Sequence, residues 1–202
     1  MMPRRKTAGE RRLEVIAATL RLAAEIGPER ITADAIARDL GVSQPAIFRH
    51  FPRKDDIWEA TIAWLAAHLA ERWAAALAGA HDPDRRLEAL LSAQFRAVEA
   101  IPALPTILLS PELQARHDGI RRALLTLMSR FHGVLAEVID GGKAAGLWSP
   151  ELDAARAGWM LIALVQGTAI RWASSRRGFD LVAEGMAVAS IAMAGMRHHP
   201  SR

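Results

Sequence analysis

Ser43, Gln44, Ala46, Arg49 and His50 lie within eight consecutive residues, and each is either small or able to form hydrogen bonds. At helical spacing all of them point away from the side taken by Ile47 and Phe51, which are one turn apart. An amide and a guanidinium on one exposed helical side can read the donors and acceptors of base edges, and a helix of about two turns fits the major groove of DNA. Gln44 suits a base edge, with Ser43, Pro45 and Ala46 close to the bases. Arg49 can read guanine or hold phosphate. Thr32, His50 and Lys54 suit phosphate contacts, which position a protein without specifying sequence.

The elements that must hold these groups can be read around them. Thr32 can cap a helix whose apolar stripe is Ala33, Ile36 and Leu40. Gly41 follows where a left-handed residue would stop that helix, and Val42 turns inward. Ser43 can cap a second helix, and Pro45 is tolerated in its first turn, where the missing amide costs nothing. Pro52 closes the unit. Helix, glycine-containing turn and helix make a helix-turn-helix with the second helix as reader.

Order and spacing from Arg11 to Leu65 resemble the N-terminal DNA-binding domain of the TetR (tetracycline repressor) family of bacterial transcription regulators. The matching residues are the run RRLEVIAATLRLAAEIG, then Thr32, Ile36-Ala37, Gly41-Val42-Ser43, Ile47-Phe48, His50-Phe51, and Lys54 before Ile57. Phe48 departs from the Tyr often found there, and so lacks the hydroxyl for a phosphate contact. The resemblance implies an all-helical regulatory domain, usually homodimeric, with a cavity for a small effector. It also implies that the last two long helices, about 152–175 and 180–196, form the four-helix interface of a dimer.

Composition agrees with a helical protein. Of 202 residues 51% are hydrophobic and 24% charged; there is no Tyr, and Ala and Leu dominate. The absence of cysteine excludes disulfides, thiol catalysis and thiolate metal sites. Net charge is +4, and Arg4, Arg5, Lys6, Arg11 and Arg12 gather near the start against Glu10. Such an arm either neutralises phosphates or is a solvated terminus. The most apolar stretch, Trp159–Ile170, is interrupted by Gln166-Gly167 and falls short of the ~20 residues a membrane span needs. No apolar run of the signal-peptide kind follows the early charges, so the expected location is the cytoplasm, with no membrane partner.

Periodicity predicts a first helix from about Thr7 to Ile26, with Leu13, Ile16, Ala17, Leu20 and Ala24 inward and Gly27-Pro28 as its end. A long helix from Arg53 to about Ala78 should leave the DNA-binding unit and enter the rest of the chain, as a lever or a plain connector. Further helices are predicted over about 83–100 and 114–141, with Ser110-Pro111 read as a fresh start before the second and Gly141-Gly142 and Gly146 ending it. A short turn at Pro105–Leu109 lies between these two. Ser149-Pro150-Glu151 should start the penultimate helix, Gly178 should stop it, and Asp180 should cap the last, whose Leu181, Met186, Val188, Ile191 and Met193 are broadly apolar. Gly158, Ala163, Gly167, Ala187 and Gly195 would allow close helix approach, in a dimer or in a monomer core.

An effector site needs polar groups among apolar ones. Gln94, Arg96 and Glu99 on one helix, and Met128, His132, Trp159, Gln166, Arg171 and Trp172 on later ones, are the candidates. Each has a plainer reading: Arg96 and Glu99 are spaced to pair, and the tryptophans suit a core. The seven histidines form no ligand set, with the adjacent pair His198-His199 in the tail, and neither a phosphate loop, a dinucleotide fingerprint nor a hydrolase elbow occurs. No enzyme, metal or cofactor is expected.

The expectation is an all-α protein of about nine helices: a three-helix helix-turn-helix domain over 1–52 and a helical ligand-binding and dimerisation domain over 53–202. Its expected function is sequence-specific transcription regulation, as a repressor released from a double-stranded operator by a small molecule. The alternative is a helical ligand-binding or catalytic protein in which the helix-turn-helix is only structural. Exposed, unpaired Gln44, Arg49 and Lys54 would separate the two.

Overall fold

A computed structural model describes residues 7–116 and 118–197. The basic residues Arg4, Arg5 and Lys6 and the pair His198-His199 lie outside the described residues. Ten α-helices occur among the described residues: α1 (Ala8–Ile26), α2 (Ala33–Asp39), α3 (Gln44–Phe48), α4 (Lys54–Ala78), α5 (Pro83–Ala100), α6 (Leu104–Leu109), α7 (Pro111–Arg116), α8 (Asp118–Ala144), α9 (Ala154–Ser174) and α10 (Leu181–Met196). A 3₁₀ turn, Pro28–Arg30, joins α1 to α2. The helix beyond the expected nine is α7, which begins at the fresh start read at Ser110-Pro111, where the Ser110 hydroxyl accepts the Leu113 N–H at 3.1 Å.

Two compact units divide the chain. The first takes the chain up to Ala66 together with Thr106–Leu125; the second takes Ala67–Pro105 and the chain from Thr126. Helices α4, α6 and α8 each contribute residues to both.

In the first unit α1 packs on α2 and α2 on α3, while α7 and α1 both meet the 3₁₀ turn. Thr7 and Glu10 form a reciprocal capping box at the start of α1. The buried side of α1 matches the predicted one only in part: Ile16 is buried and Leu20 and Ala24 are half-buried, as expected, but Leu13 and Ala17 are not inside. Val15, Ile16, Ala18, Thr19 and Ala23 are inside, Ala17 is exposed and Leu13 is 54% exposed. An alanine-rich helix carries more than one apolar stripe. The stripe that wins here includes a threonine, whose hydroxyl is satisfied by donating to the Val15 carbonyl at 2.8 Å.

In the second unit α5, α9 and α10 pack on one another. Leu87, Leu90, Leu91, Phe95 and Val98 line the inner side of α5, and a fully buried side chain of this kind stabilises by about 1.5–3 kcal/mol. Trp73 of α4 donates its indole N–H to Gln94 Oε1 at 2.8 Å and stacks on Phe131 at 4.7 Å. At Gly185 a Cβ would lie 2.5 Å from the Phe95 ring. Gly185→Ala is therefore expected to lower unfolding stability by about 1–2 kcal/mol, an overpacking cost of 1–3 kcal/mol partly offset by better helix propensity. Gly133, with nothing within 4 Å of a new Cβ, is the control. Gly133→Ala should raise stability by up to about 1 kcal/mol. Urea titrations of the two variants check this, and equal shifts would contradict the close α5–α10 approach.

Helix ends differ from expectation at three places. Of the glycines expected to end α8, Gly141-Gly142 does not, since the helix continues to Ala144; Gly146, at φ +72°, makes the left-handed turn as expected. Gly142 serves packing, since a Cβ there would lie 2.2 Å from the Trp148 ring. Helix α9 starts at Ala154, later than predicted, because the Asp153 carboxylate, not Ser149, accepts the Arg156 N–H at 3.0 Å. Beyond α9 the left-handed residues are Arg176 (φ 55°) and Arg177 (φ 62°), not Gly178. Gly178 is needed for closeness, as a Cβ would meet the Ser175 carbonyl oxygen at 2.9 Å.

Candidate nucleic-acid interface

The reading unit is built from local bonds. Thr32 Oγ1 accepts the Ala35 N–H at 3.0 Å and starts α2. Gly41 adopts φ +64° and ends it, and the Val42 N–H then reaches the Ala37 carbonyl at 2.9 Å. Ser43 occupies the cap position of α3, but its hydroxyl makes no capping bond. A cap side chain serves the second or third amide of the helix. Here the second belongs to Pro45, which has none, and the third, that of Ala46, goes to the Ser43 carbonyl at 2.9 Å.

Inside, Ile47 and Phe51 are fully buried. Two contacts from α1 and α2 fix this arrangement, and neither was visible in the sequence. Arg12 Nη1 donates to the His50 carbonyl at 2.5 Å, and its guanidinium lies 4.2 Å over the Phe51 ring. Arg21 of α1 pairs with Asp39 of α2. Arg12, read as part of a phosphate-neutralising arm, is thus engaged within the fold. Arg11 is likewise paired with Glu14, at 2.9 Å.

Outside, Thr32, Ser43, Gln44, Pro45, Phe48 and Arg49 are exposed, and Ala46, His50 and Lys54 are half-buried. Among the described residues the side chains of Gln44 and Arg49 make no hydrogen bond, ion pair or ring contact. Lys54 differs from expectation: it is half-buried and has an interaction of its own within the protein. Thr32 Oγ1 accepts its cap bond, which leaves its hydroxyl hydrogen to donate outward. At the start of α4 the Arg53 side chain, and then its backbone N–H, donate to Asp56 and hold that carboxyl below the usual carboxylate range. The charge so kept suits the positive end of the helix.

The candidate effector residues lie in the second unit and do not converge. Gln94 is buried with Trp73, and Trp172 is a core residue with 6% exposure. Arg96 and Glu99 are exposed and are not paired with each other: the Arg96 Nε reaches Ser92 Oγ at 3.4 Å. Arg171 is exposed and bonds Glu184 of α10 at 2.5 Å. The remaining four meet in pairs between α8 and α9. Gln166 Nε2 lies 3.5 Å from Met128 Sδ, and His132 stacks on Trp159 at 4.4 Å while its Nε2–H donates to the Ala155 carbonyl at 2.8 Å. Trp159 is nonetheless 46% exposed. Two surface clefts of this unit, of about 580 and 510 Å³, involve none of the nine candidates. Among the described residues no group of three or more His, Asp or Glu side chains could hold a metal ion. No helix among them is long and apolar enough to cross a membrane.

Known proteins share this arrangement. Over 176 residues the chain is 28% identical to the nucleoid occlusion factor SlmA of Klebsiella pneumoniae, spanning 86% of this chain and 89% of that protein. The fold matches that of the fatty acid degradation regulator FadR from Bacillus halodurans, with a TM-score of 0.81 at 22% identity over 96% of this chain and 100% of the other. It also matches FadR from Bacillus subtilis, solved in complex with stearoyl-CoA, with a TM-score of 0.79 at 21% identity over 92% and 99%. Residues 15–61 match the family described as bacterial regulatory proteins, tetR family, and residues 65–195 match the YsiA-like protein, C-terminal region. The chain therefore belongs to the tetR family of bacterial regulatory proteins and is a DNA-binding transcription regulator.

Proposed function

We propose that the protein is a cytoplasmic, homodimeric repressor without enzymatic activity, released from its operator by a small molecule. The observation that carries this reading is the pair Gln44 and Arg49, exposed and without partners on a helix whose inward residues are fully buried. A merely structural helix-turn-helix has no use for them. In this reading α3 enters the major groove. Gln44 reads a base edge with Ser43, Pro45 and Ala46 beside it, and Arg49 reads guanine or holds phosphate. Thr32, His50 and Lys54 hold phosphates. The DNA-binding domain is 1–52 and the regulatory domain 53–202, with α4 shared between the two compact units.

The outer side of α9 and α10 supports dimerisation there. Trp159, Met160 and Ile170 are 44–46% exposed and Ile191 is 74% exposed, with Ala163, Gly167, Ala187 and Gly195 exposed among them. Large apolar groups interleaved with small ones suit close helix packing against a second copy. Two copies related by a twofold axis would read a roughly palindromic site. The Bacillus subtilis neighbour binds stearoyl-CoA, which makes acyl-CoA thioesters the first effector class to test. Effector and DNA then oppose each other through a coupling of about 1–3 kcal/mol.

The test is Gln44→Ala. With an operator taken from the DNA upstream of the protein's own gene, or selected from a random library, the variant should lose about 1–3 kcal/mol of discrimination against random DNA in fluorescence anisotropy. Unchanged discrimination would remove Gln44 from the role of reader.

A further inference from the structure

We propose that Phe48 reads the 5-methyl group of a thymine within about two base pairs of the one read by Gln44. The inference rests on the reading of α3 as the base-contacting helix. Phe48 is a large apolar side chain left 38% exposed on that helix, and no ring or cation packs on it among the described residues. It stands four residues from Gln44, one turn along the same side. Having no hydroxyl, it cannot donate to a phosphate. Its neighbour Pro45 is also exposed and carries no amide hydrogen, so this flank of α3 offers apolar surface where the rest of the reader offers hydrogen bonds.

The major groove gives such a surface one kind of partner. Base edges there present donors and acceptors, and the thymine C5-methyl is the apolar group among them. An amide such as that of Gln44 suits adenine, which it can grip at N6 and N7. One helical turn advances about 5.4 Å, and base pairs are spaced by about 3.4 Å, so the ring of Phe48 falls within about two base pairs of the adenine under Gln44. The pair thus specifies a short A·T-containing step, read through polar contact at one end and apolar contact at the other. Phe48 contributes to specificity, not only to grip.

The experiment removes the methyl group and nothing else. An operator is selected from a random DNA library with the full-length protein, and each thymine of a half-site is replaced in turn by deoxyuridine. In fluorescence anisotropy one thymine per half-site, within about two base pairs of the adenine on which Gln44→Ala acts, should cost about fourfold in affinity, as expected for losing one buried methyl. Phe48→Ala should bind the thymine and deoxyuridine operators equally, and Phe48→Leu should keep part of the preference. Because the ring is 38% exposed, both variants should keep a cooperative melting transition by circular dichroism, well above the temperature of the binding assay. If no deoxyuridine position weakens wild-type binding, or if Phe48→Ala stays as sensitive as wild type, the methyl assignment is wrong, while discrimination through Gln44 would still stand. If the selection enriches no sequence, the reading of α3 fails and the assignment fails with it.

Discussion

Phe51→Ala is expected to cost about 3–5 kcal/mol of stability and to abolish operator binding. Phe51 is fully buried, and its N–H bonds the Ile47 carbonyl at 3.0 Å at the end of α3. The ring also carries the Arg12 guanidinium, which is anchored on the His50 carbonyl. Removing it leaves a cavity beneath the reader and frees the cation that ties α1 to the end of α3. A displacement of α3 by an ångström separates Gln44 from its base edge, so binding should fall further than stability alone explains. Urea unfolding gives the first effect and anisotropy on an operator the second. Phe51→Leu, which restores most of the volume, should recover much of the stability; cavity filling costs less than truncation. If Phe51→Ala lost stability but kept its operator affinity, the packing beneath α3 would not be what positions the reader.

The second large effect lies at the other end of the chain. Trp148→Ala should cost about 3–5 kcal/mol in the second unit. Trp148 is fully buried, with its ring seated against Gly142. Its indole N–H donates to Asp84 Oδ1 at 3.2 Å, and Asp84 also receives Arg197 at 2.7 Å. The backbone of Trp148 forms an antiparallel bridge with Arg197, and the Ser149 N–H reaches the Met196 carbonyl at 3.0 Å. The Trp148 ring therefore ties the end of α8 to the start of α5, and its backbone and Asp84 join both to the end of α10. Trp148→Phe keeps most of the apolar contact and loses the hydrogen bond to Asp84, which predicts a smaller loss of about 1–2 kcal/mol. Denaturant titrations of the two variants decide the point: equal losses would mean that the bond to Asp84, not the buried ring, carries the stabilisation.

The two effects bear on how much could be read in advance. Trp148 went unnoticed in the sequence because its partners, Asp84 in α5, Gly142 in α8 and Arg197 just beyond α10, are far apart along the chain, and Gly141-Gly142 read as a helix stop when Gly142 is a seat for the indole. The effector candidates show the same limit. Polar residues in apolar helices are found by composition, but composition does not say which way they point. Arg171 went to Glu184 across two helices, and Arg96 and Glu99 to the surface. Lys54 read as a free cation and is half-buried with an interaction of its own.

What the sequence determined by itself is the helix-turn-helix. The Thr32 cap, the left-handed Gly41 and the spacing of Ile47 and Phe51 act over a few residues, so local order is enough to state them. The all-helical class follows equally from composition and period. Only the tertiary structure decided which stripe of the alanine-rich α1 is buried, since alanine is apolar on any side. It also decided which arginines are spent inside. Arg12 and Arg21 find their partners 38 and 18 residues away, and a charge cannot be assigned to DNA or to the fold until its neighbours in space are known.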